Sequence, residues 1–274
     1  MTADLHCHTS ASDAALTRDE LVSYAALCGL KRIAITDHDT MKNSFCTAED
    51  EVEVVTGCEF SCFDSDRGNK KVHVLCYYPK KPQLFAEYFK RMSDERNRVG
   101  QLMIDKVKKI YPVINEQNTA KFTKDSGTIF KANFMQILSH YGVVKEIYGE
   151  LYRELFSKSG TCTVEPQYGT LDEVLELIRA ARGVAVIAHP SVYDTMEACH
   201  ALARAKRIDG IEVFHPRNKS EDKEVLSRLC DECKLIKTGG SDYHGRTSAS
   251  GSQPGDCVTD DMNFNRLLEL SGEK

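Results

Sequence analysis

The chain has 274 residues, of which 41% are hydrophobic and 28% charged, with 17 glycines and 7 prolines. That length is enough for one large core and lies close to the roughly 250 residues of a single α/β barrel. The composition excludes a disordered, fibrous or membrane-spanning chain, and a formal charge of −5 argues against wrapping of long nucleic acid, so an anionic partner must be met by a local basic pocket.

In chain order, ADLHCH reads as a first strand. No basic region followed by an apolar stretch precedes it, so a cytoplasmic protein is expected. Thr17 with Glu20 forms a capping-box pattern before LVSYAALCGL, and Gly29 suits the turn behind it. RIAIT, VEVVTGCEF and KVHVLCYY follow as short Ile- and Val-rich strands. Over residues 82–162 the pattern changes to long helical stretches, LFAEYFKRMSDERNRVGQLMIDKVKKIYP and FMQILSHYG, without a strand. This segment is expected to be a helical insertion covering the active-site mouth of a barrel built from residues 1–81 and 163–274. Thr170 with Glu173 starts the helix VLELIRAA, Gly183 suits its turn, and GVAVIAHP, GIEVFHP and LIKTGGSDYH complete the strands before a last helix over 264–270. Strands alternating with helices give an α/β fold of repeated β/α units.

Eleven cysteines spread through these elements read as reduced, mostly buried thiols. Cys230 and Cys233 form a CxxC inside a helix with no second pair at zinc-finger spacing, so neither zinc nor redox chemistry is expected of them. Cys7 lies between two histidines, but on a strand its side chain points away from both, and packing is its expected role.

The chemistry is carried by seven of the nine histidines, which fall where strands end: His6, His8, His38, His73, His189, His215 and His244. Asp4, Asp37, Asp39, Glu59 and Asp242 follow the same rule, and Asp13 stands in the loop after the first strand. Strand ends are where barrel active sites assemble. A period of two puts His6 and His8 on one face, with both imidazoles free to meet one ion. Any one of these residues alone reads as a solvated or capping side chain. Together they would leave like charges and unmet polar groups facing each other unless cations stood between them. A multinuclear metal site is expected.

DLHCHTSASD, ITDHD, GCEF, VHVLCYY, IAHP and GGSDYH, in that order, resemble the motifs of the polymerase and histidinol phosphatase (PHP) family of metal-dependent phosphoesterases. The resemblance implies a distorted (β/α)7 barrel with two or three divalent ions at its C-terminal mouth. It implies one ion on His6, His8, Glu59 and Asp242, a second on Glu59, His73 and His189, and a third on Asp13, His38 and His244. Asp4, Asp37 and Asp39 would orient these ligands rather than join them. Nitrogen and oxygen donors without thiolate suit Mn, Fe or Zn. Such ions lower the pKa of water from 15.7 toward about 7 and neutralise phosphate oxygens, so hydroxide attacks phosphorus in line. Asp242 or His189 would handle its proton, and His244 would assist the leaving group.

For the substrate, His215 after its strand is expected to donate to a second phosphate, with Arg217 beside it. Arg96 and Arg98 on the ERNR helix and Lys131 are the other expected substrate-binding residues. Relatives carry a Gly-Arg-Pro-His stretch where this chain has FKANF, so Lys131 and Asn133 replace a bidentate phosphate clamp. Ala14 likewise stands where the family's SDG turn has glycine. The expected activity is hydrolysis of a small nucleotide or sugar phosphate, either a monoester or a cyclic phosphodiester. The alternatives are a histidinol-phosphate phosphatase, a short-oligonucleotide exonuclease and a noncatalytic metal-binding domain. No membrane or long nucleic acid is expected as partner.

Overall fold

The computed structural model describes residues 2–245 and 251–273. The strands are β1 (Ala3–Cys7), β2 (Arg32–Ile35), β3 (Glu53–Asp64), β4 (Lys70–Tyr77), β5 (Gly169–Thr170), β6 (Val184–Ile187), β7 (Gly210–Phe214) and β8 (Ile236–Gly239). Seven follow one path, β1-β2-β3-β4-β6-β7-β8, and β5 pairs with β3 beside it. The path nearly closes, since His8 N–H donates to Tyr243 O at 2.9 Å just beyond β8. The fold is a distorted seven-stranded α/β barrel, as the resemblance implies. Its distortion lies in β4, antiparallel to both β3 and β6. Only residues 65–69 join β3 to β4, too few for the crossover that a parallel partner requires.

Ala3, Leu5, Ala34, Val55, Leu75, Tyr77, Val184, Val186 and Ile236 form one buried cluster. A cluster drawing on six strands can only fill the barrel interior. A second cluster packs Cys7, Ile33, Ile35 and Val54 against Leu21, Val22 and Ala25 of α1 (Arg18–Leu27). Leu5 therefore faces inward, whereas Cys7, two residues later, faces outward toward α1. The register shift between Asp4 and Cys7 makes the switch, and it re-aims His6 and His8 into the barrel, as bulges beside active sites do.

The capping box predicted for α1 is complete, with Thr17 accepting from Glu20 N–H. Thr170 caps α6 (Leu171–Ala181) in the same way. Behind α6 the turn differs from expectation. Arg182, not Gly183, takes the left-handed conformation, and Gly183 is required for space instead, since a Cβ there would lie 2.6 Å from Cys76 Sγ.

Between β4 and β5 lie α2 (Ala86–Val107), α3 (Glu116–Phe122), α4 (Lys131–His140) and α5 (Glu150–Phe156). The second half of α2 joins α4 and α5 in a separate apolar cluster that includes Val99, Met103, Phe134, Leu138 and Phe156. Tyr88 and Met92 from its first half pack on Phe60 and Leu171 of the barrel. α2 thus ties the helical segment to β3, the strand that carries Glu59. No helix among the described residues is long and apolar enough to cross a membrane, and the eleven cysteines are all free.

Candidate metal centre

His6 and His8 converge with a residue from β3 and one from beyond β8. His6 Nε2 lies 3.1 Å from His8 Nε2, 3.2 Å from Glu59 Oε2 and 3.4 Å from Asp242 Oδ1. His8 Nε2 is 3.2 Å from the same Glu59 oxygen and 3.3 Å from the same Asp242 oxygen. These are five of the six edges of a tetrahedron. Ligands about 2.0 Å from a central ion stand about 3.3 Å apart, so the donor set has the size of a first coordination shell. The tautomers agree. His6 Nδ1 donates to Glu212 Oε1 at 2.9 Å, which turns the lone pair of Nε2 toward the centre. Ser12 Oγ donates to Asp37 at 2.6 Å and lies 3.4 Å from His8 Nδ1, where it can accept that ring's proton.

Two further groups adjoin the first. Glu59 Oε1 lies 2.6 Å from His73 Nδ1 and 2.9 Å from His189 Nε2, and Glu59 Oε2 lies 3.1 Å from His38 Nδ1. Asp13 Oδ1 is 3.2 Å from His244 Nε2 and 4.0 Å from His38 Nε2. Donor atoms of His8, Asp13, His38 and His244 fall within 4.8 Å of one another, as do those of His38, Glu59 and His73. Asp13 Oδ1, His38 Nδ1, Glu59 Oε2, His73 Nε2 and His189 Nδ1 are buried without a hydrogen-bond partner among the described residues. Of these, Asp13 Oδ1, His38 Nδ1 and Glu59 Oε2 belong to the donor groups just described, and buried acceptors left unmet there fit divalent cations, because such an acceptor is costly.

Electrostatics points the same way. Burial opposes ionisation of Glu59, yet the imidazoles of His73, His38 and His6 hold its carboxyl well below the usual range. Burial resists the charging of His8, but hydrogen bonds to Asp242 and Glu59 push it up to about 10. Burial wins at His73, which falls to about 3 against the pull of Glu59. The carboxylates draw positive charge toward the centre.

The three carboxylates expected to orient the ligands are tied to backbone and side-chain donors around them. Asp4 accepts from the Ser241 hydroxyl at 2.5 Å and from Ser241 and Gly255 N–H at 3.0 and 2.9 Å. Asp37 accepts from Thr9 N–H and hydroxyl at 2.7 and 2.6 Å. Asp39 accepts from Ser61 N–H at 3.0 Å and pairs with Arg96. Glu212 was not singled out from the sequence. Its Oε2 accepts His189 N–H at 2.8 Å while Oε1 holds His6. Burial opposes its ionisation, but His6 and His215 keep its carboxyl below the ordinary value. A lone Glu inside the apolar run GIEVF was the available signal.

The residues expected to bind substrate are placed differently from one another. His215 is wholly buried; its Nδ1 accepts Arg217 N–H at 3.1 Å, which leaves Nε2 to donate to Asp242 Oδ2 at 3.3 Å. It steadies Asp242 and does not line the cavity, whereas Arg217 does. Arg98 pairs with Glu95 at 2.7 Å on the outer face of α2 and also lies outside the cavity. Arg96 lines the cavity with its guanidinium committed to protein partners. Lys131 lines it too, held 3.1 Å from both Glu165 Oε1 and Phe156 O.

The cavity above the centre encloses about 930 Å³. One side carries Asp13, His38, Glu59, His73, His189, Asp242 and His244, and the other carries Phe130, Tyr148, Tyr152 and Phe156 from the helical segment. Lys71 and Arg217 line it with no ion-pair partner among the described residues, and Lys71 Nζ stands 5.0 Å from the Tyr193 ring. That ring packs 4.9 Å from the ring of His73.

The family model for the PHP domain matches residues 4–208. The chain is 31% identical over 253 residues to a phosphoribosyl 1,2-cyclic phosphate 1,2-diphosphodiesterase of Eggerthella lenta, covering 90% of this chain and 95% of that protein. It is 28% identical over 251 residues to a 5'-3' exoribonuclease of Haemophilus influenzae, covering 88% and 89%. The crystal structure of a protein of Bifidobacterium adolescentis, named as a metal-dependent phosphoesterase, superposes with a TM-score of 0.86 at 26% identity over 98% of this chain and 96% of the other. The chain belongs to the PHP domain family, and it is a metal-dependent hydrolase of phosphoric ester bonds.

Proposed function

We propose that the substrate is a small sugar phosphate or nucleotide with two phosphate groups, one hydrolysed at the metal centre and one held by Arg217 and Lys71. The observation that carries this reading is the charge balance of the cavity. Lys70, Arg96 and Lys131 are each matched by a carboxylate, Asp194, Asp39 and Glu165, whereas Lys71, Arg217 and the exposed Lys158 have no such partner among the described residues, and Lys71 stands beside the Tyr193 ring that packs on His73. An uncompensated cation on a cavity wall is matched by an anion of the ligand. The likeness to a phosphoribosyl cyclic phosphate diphosphodiesterase supports a cyclic diester or monoester on ribose.

His6, His8, Glu59 and Asp242 would hold one ion, Glu59, His73 and His189 a second, and Asp13, His38 and His244 a third. Mn, Fe and Zn suit these donors. Bound there, such ions supply Lewis acidity toward phosphate oxygens and acidify water. Asp242, steadied on Oδ2 by His215, is assigned to receive the proton of the attacking water. His189 is the other candidate base, since its Nδ1 is buried and unpartnered. His244, expected to assist the leaving oxygen, donates Nδ1–H to Asp242 O at 2.9 Å and turns Nε2 to Asp13, so it would hold an ion and the proton for the leaving oxygen would come from water. The free thiols support a reducing, cytoplasmic setting. The helical segment, as a cover over the mouth, would exclude water and contribute the tyrosines. Those rings favour one second reading, trimming of a short RNA end whose bases stack on Tyr148, Tyr152 or Tyr168.

The test is phosphate release by manganese-loaded protein from AMP, 3',5'-bisphosphoadenosine, ribose 1,2-cyclic phosphate 5-phosphate, histidinol phosphate and a short 5'-phosphorylated RNA. We expect kcat/KM for the best two-phosphate substrate to exceed that for AMP at least about tenfold, the worth of one charge-assisted contact. Arg217→Ala should collapse that preference and Arg98→Ala should leave it intact. Equal turnover of AMP and the bisphosphorylated compounds would refute the proposal, and Asp242→Asn with full turnover would refute its assigned role.

A further inference from the structure

Arg96 was expected to be a phosphate ligand, but its surroundings give it other work. It projects from the middle of α2 and is 7% exposed. Its guanidinium lies 4.8 Å from the Phe130 ring and 4.9 Å from the Tyr168 ring. Nη1 donates to the Tyr168 hydroxyl at 2.7 Å, and Nη2 donates to Ser61 Oγ at 2.8 Å and to Asp39 Oδ2.

Asp39 follows His38 directly and holds a left-handed backbone with φ 51. Its N–H donates to Glu59 O at 2.9 Å, and Glu59 N–H donates to Asp37 O at 3.2 Å. Asp39 Oδ1 accepts Ser61 N–H at 3.0 Å. Residues 37–39 and 59–61 are thus laced together by backbone and carboxylate, and His38 and Glu59 are the side chains that this lacing sets face to face, 3.1 Å apart. Among the described residues, Arg96 is the one group from the helical segment that fastens both sides of the lace, through Asp39 and Ser61. Without it a buried carboxylate loses its counter-charge, and the paired arrangement gives way.

We infer that Arg96 is a positioning residue through which the helical segment between β4 and β5 sets the affinity of the metal centre. The inference rests on the reading of His38 and Glu59 as ion ligands. It assigns no substrate contact to Arg96.

The experiment is titration of Mn2+ into metal-stripped full-length protein, followed calorimetrically for the wild type, Arg96→Met, Arg96→Lys and the double variant Arg96→Met with Asp39→Asn. Arg96→Met should weaken at least one ion about 10- to 100-fold, the usual cost of losing an outer partner of a ligand. Arg96→Lys keeps the charge but cannot reach Asp39, Ser61 and Tyr168 together, so it should fall between. The double variant, which no longer buries an unpaired carboxylate, should recover part of the loss. Mn2+ binding in Arg96→Met within about twofold of wild type, with only KM raised, would overturn the inference and return Arg96 to the substrate. Should Arg96→Met fail to fold, Arg96→Lys decides alone, and wild-type affinity in it overturns the inference. A wild type that binds no Mn2+ would overturn the metal reading itself, a result distinct from unaltered binding in the variants.

Discussion

Glu212→Gln isolates what a buried carboxylate does for the metal centre without touching a proposed ligand. Glu212 accepts two hydrogen bonds, from His6 Nδ1–H at 2.9 Å and from His189 N–H at 2.8 Å. Glutamine keeps the shape but offers one oxygen and one NH2. The amide of His189 cannot cease to be a donor, whereas an imidazole can move its proton from one nitrogen to the other. The glutamine oxygen therefore turns to His189, and its NH2 faces His6 Nδ1, which must become the acceptor. His6 then carries its proton on Nε2, the atom 3.1 Å from His8 Nε2 and 3.2 Å from Glu59 Oε2, where the ion's lone pair is needed. Metal affinity should fall about 10- to 100-fold, or about 1.4–2.8 kcal/mol. The metal-free fold should lose only about 1–2 kcal/mol, because one charge-assisted bond becomes neutral and none is left unmade. Mn2+ titration reads the first quantity, urea unfolding of the stripped protein the second, and 15N shifts of His6 report the tautomer directly. Wild-type metal affinity in a variant whose His6 proton has moved to Nε2 would refute the reasoning.

Other consequences are as direct. Saturating Mn2+ at about 100 times its Kd should add about 2.7 kcal/mol to stability, raising Tm by roughly 5–10 °C, and chelation should reverse the shift in a thermal melt. Gly240→Ala would set a Cβ 2.2 Å from His6 Cβ and 2.6 Å from His6 N, so β1 and the end of β8 must part; a loss of about 3 kcal/mol or more and of metal binding should appear in denaturant and metal titrations. Asp50 receives Arg18 Nη1 and Nη2 at 2.9 and 2.6 Å, and those bonds hold its carboxyl below the usual value. Its contribution, about 2 kcal/mol, is present above the unfolded pKa near 3.9 and is lost as pH falls through the folded one. The stability gap between wild type and Asp50→Asn should therefore be full at neutral pH and close under acid, as unfolding from pH 7 down to pH 3 would read.

What the sequence displayed followed from periodicity and from residue type. Short apolar runs, most of them rich in Ile and Val, marked the seven members of the barrel path, and the two-residue spacing of His6 and His8 did place both imidazoles at one point. What it hid were relations between distant residues. Nothing in KVHVLCYY says that β4 runs backward; the shortness of the 65–69 link does, once both strands are known to pair. His215 and Arg217 were indistinguishable as phosphate contacts, because which one reaches the cavity depends on the turn after β7. That turn spends the imidazole on Asp242 and leaves the guanidinium free. Arg96 and Arg98, two residues apart on one helix, point to nearly opposite sides, and only the placement of α2 against β3 decides which is buried.

The backbone of the centre carries a further lesson. His189, Asp39 and Asp242 have φ of 29, 51 and 50, in the region that favours glycine and costs other residues of order 1–3 kcal/mol. Each stands two to four residues past a strand end, where a sharp left-handed turn stops the alternation of the strand and re-aims the side chain. Glycine would relieve the strain but supply no side chain to the site. The neighbouring bonds hold the turn instead, Glu59 O on Asp39 N–H and Glu212 Oε2 on His189 N–H. In GGSDYH the glycines look like the turn formers, yet the left-handed residue is Asp242, and Gly240 is small so that β8 can close against His6. Local preference pointed to the wrong residue there because the turn is shaped by what the centre requires of Asp242, a carboxylate between His6, His8 and His215.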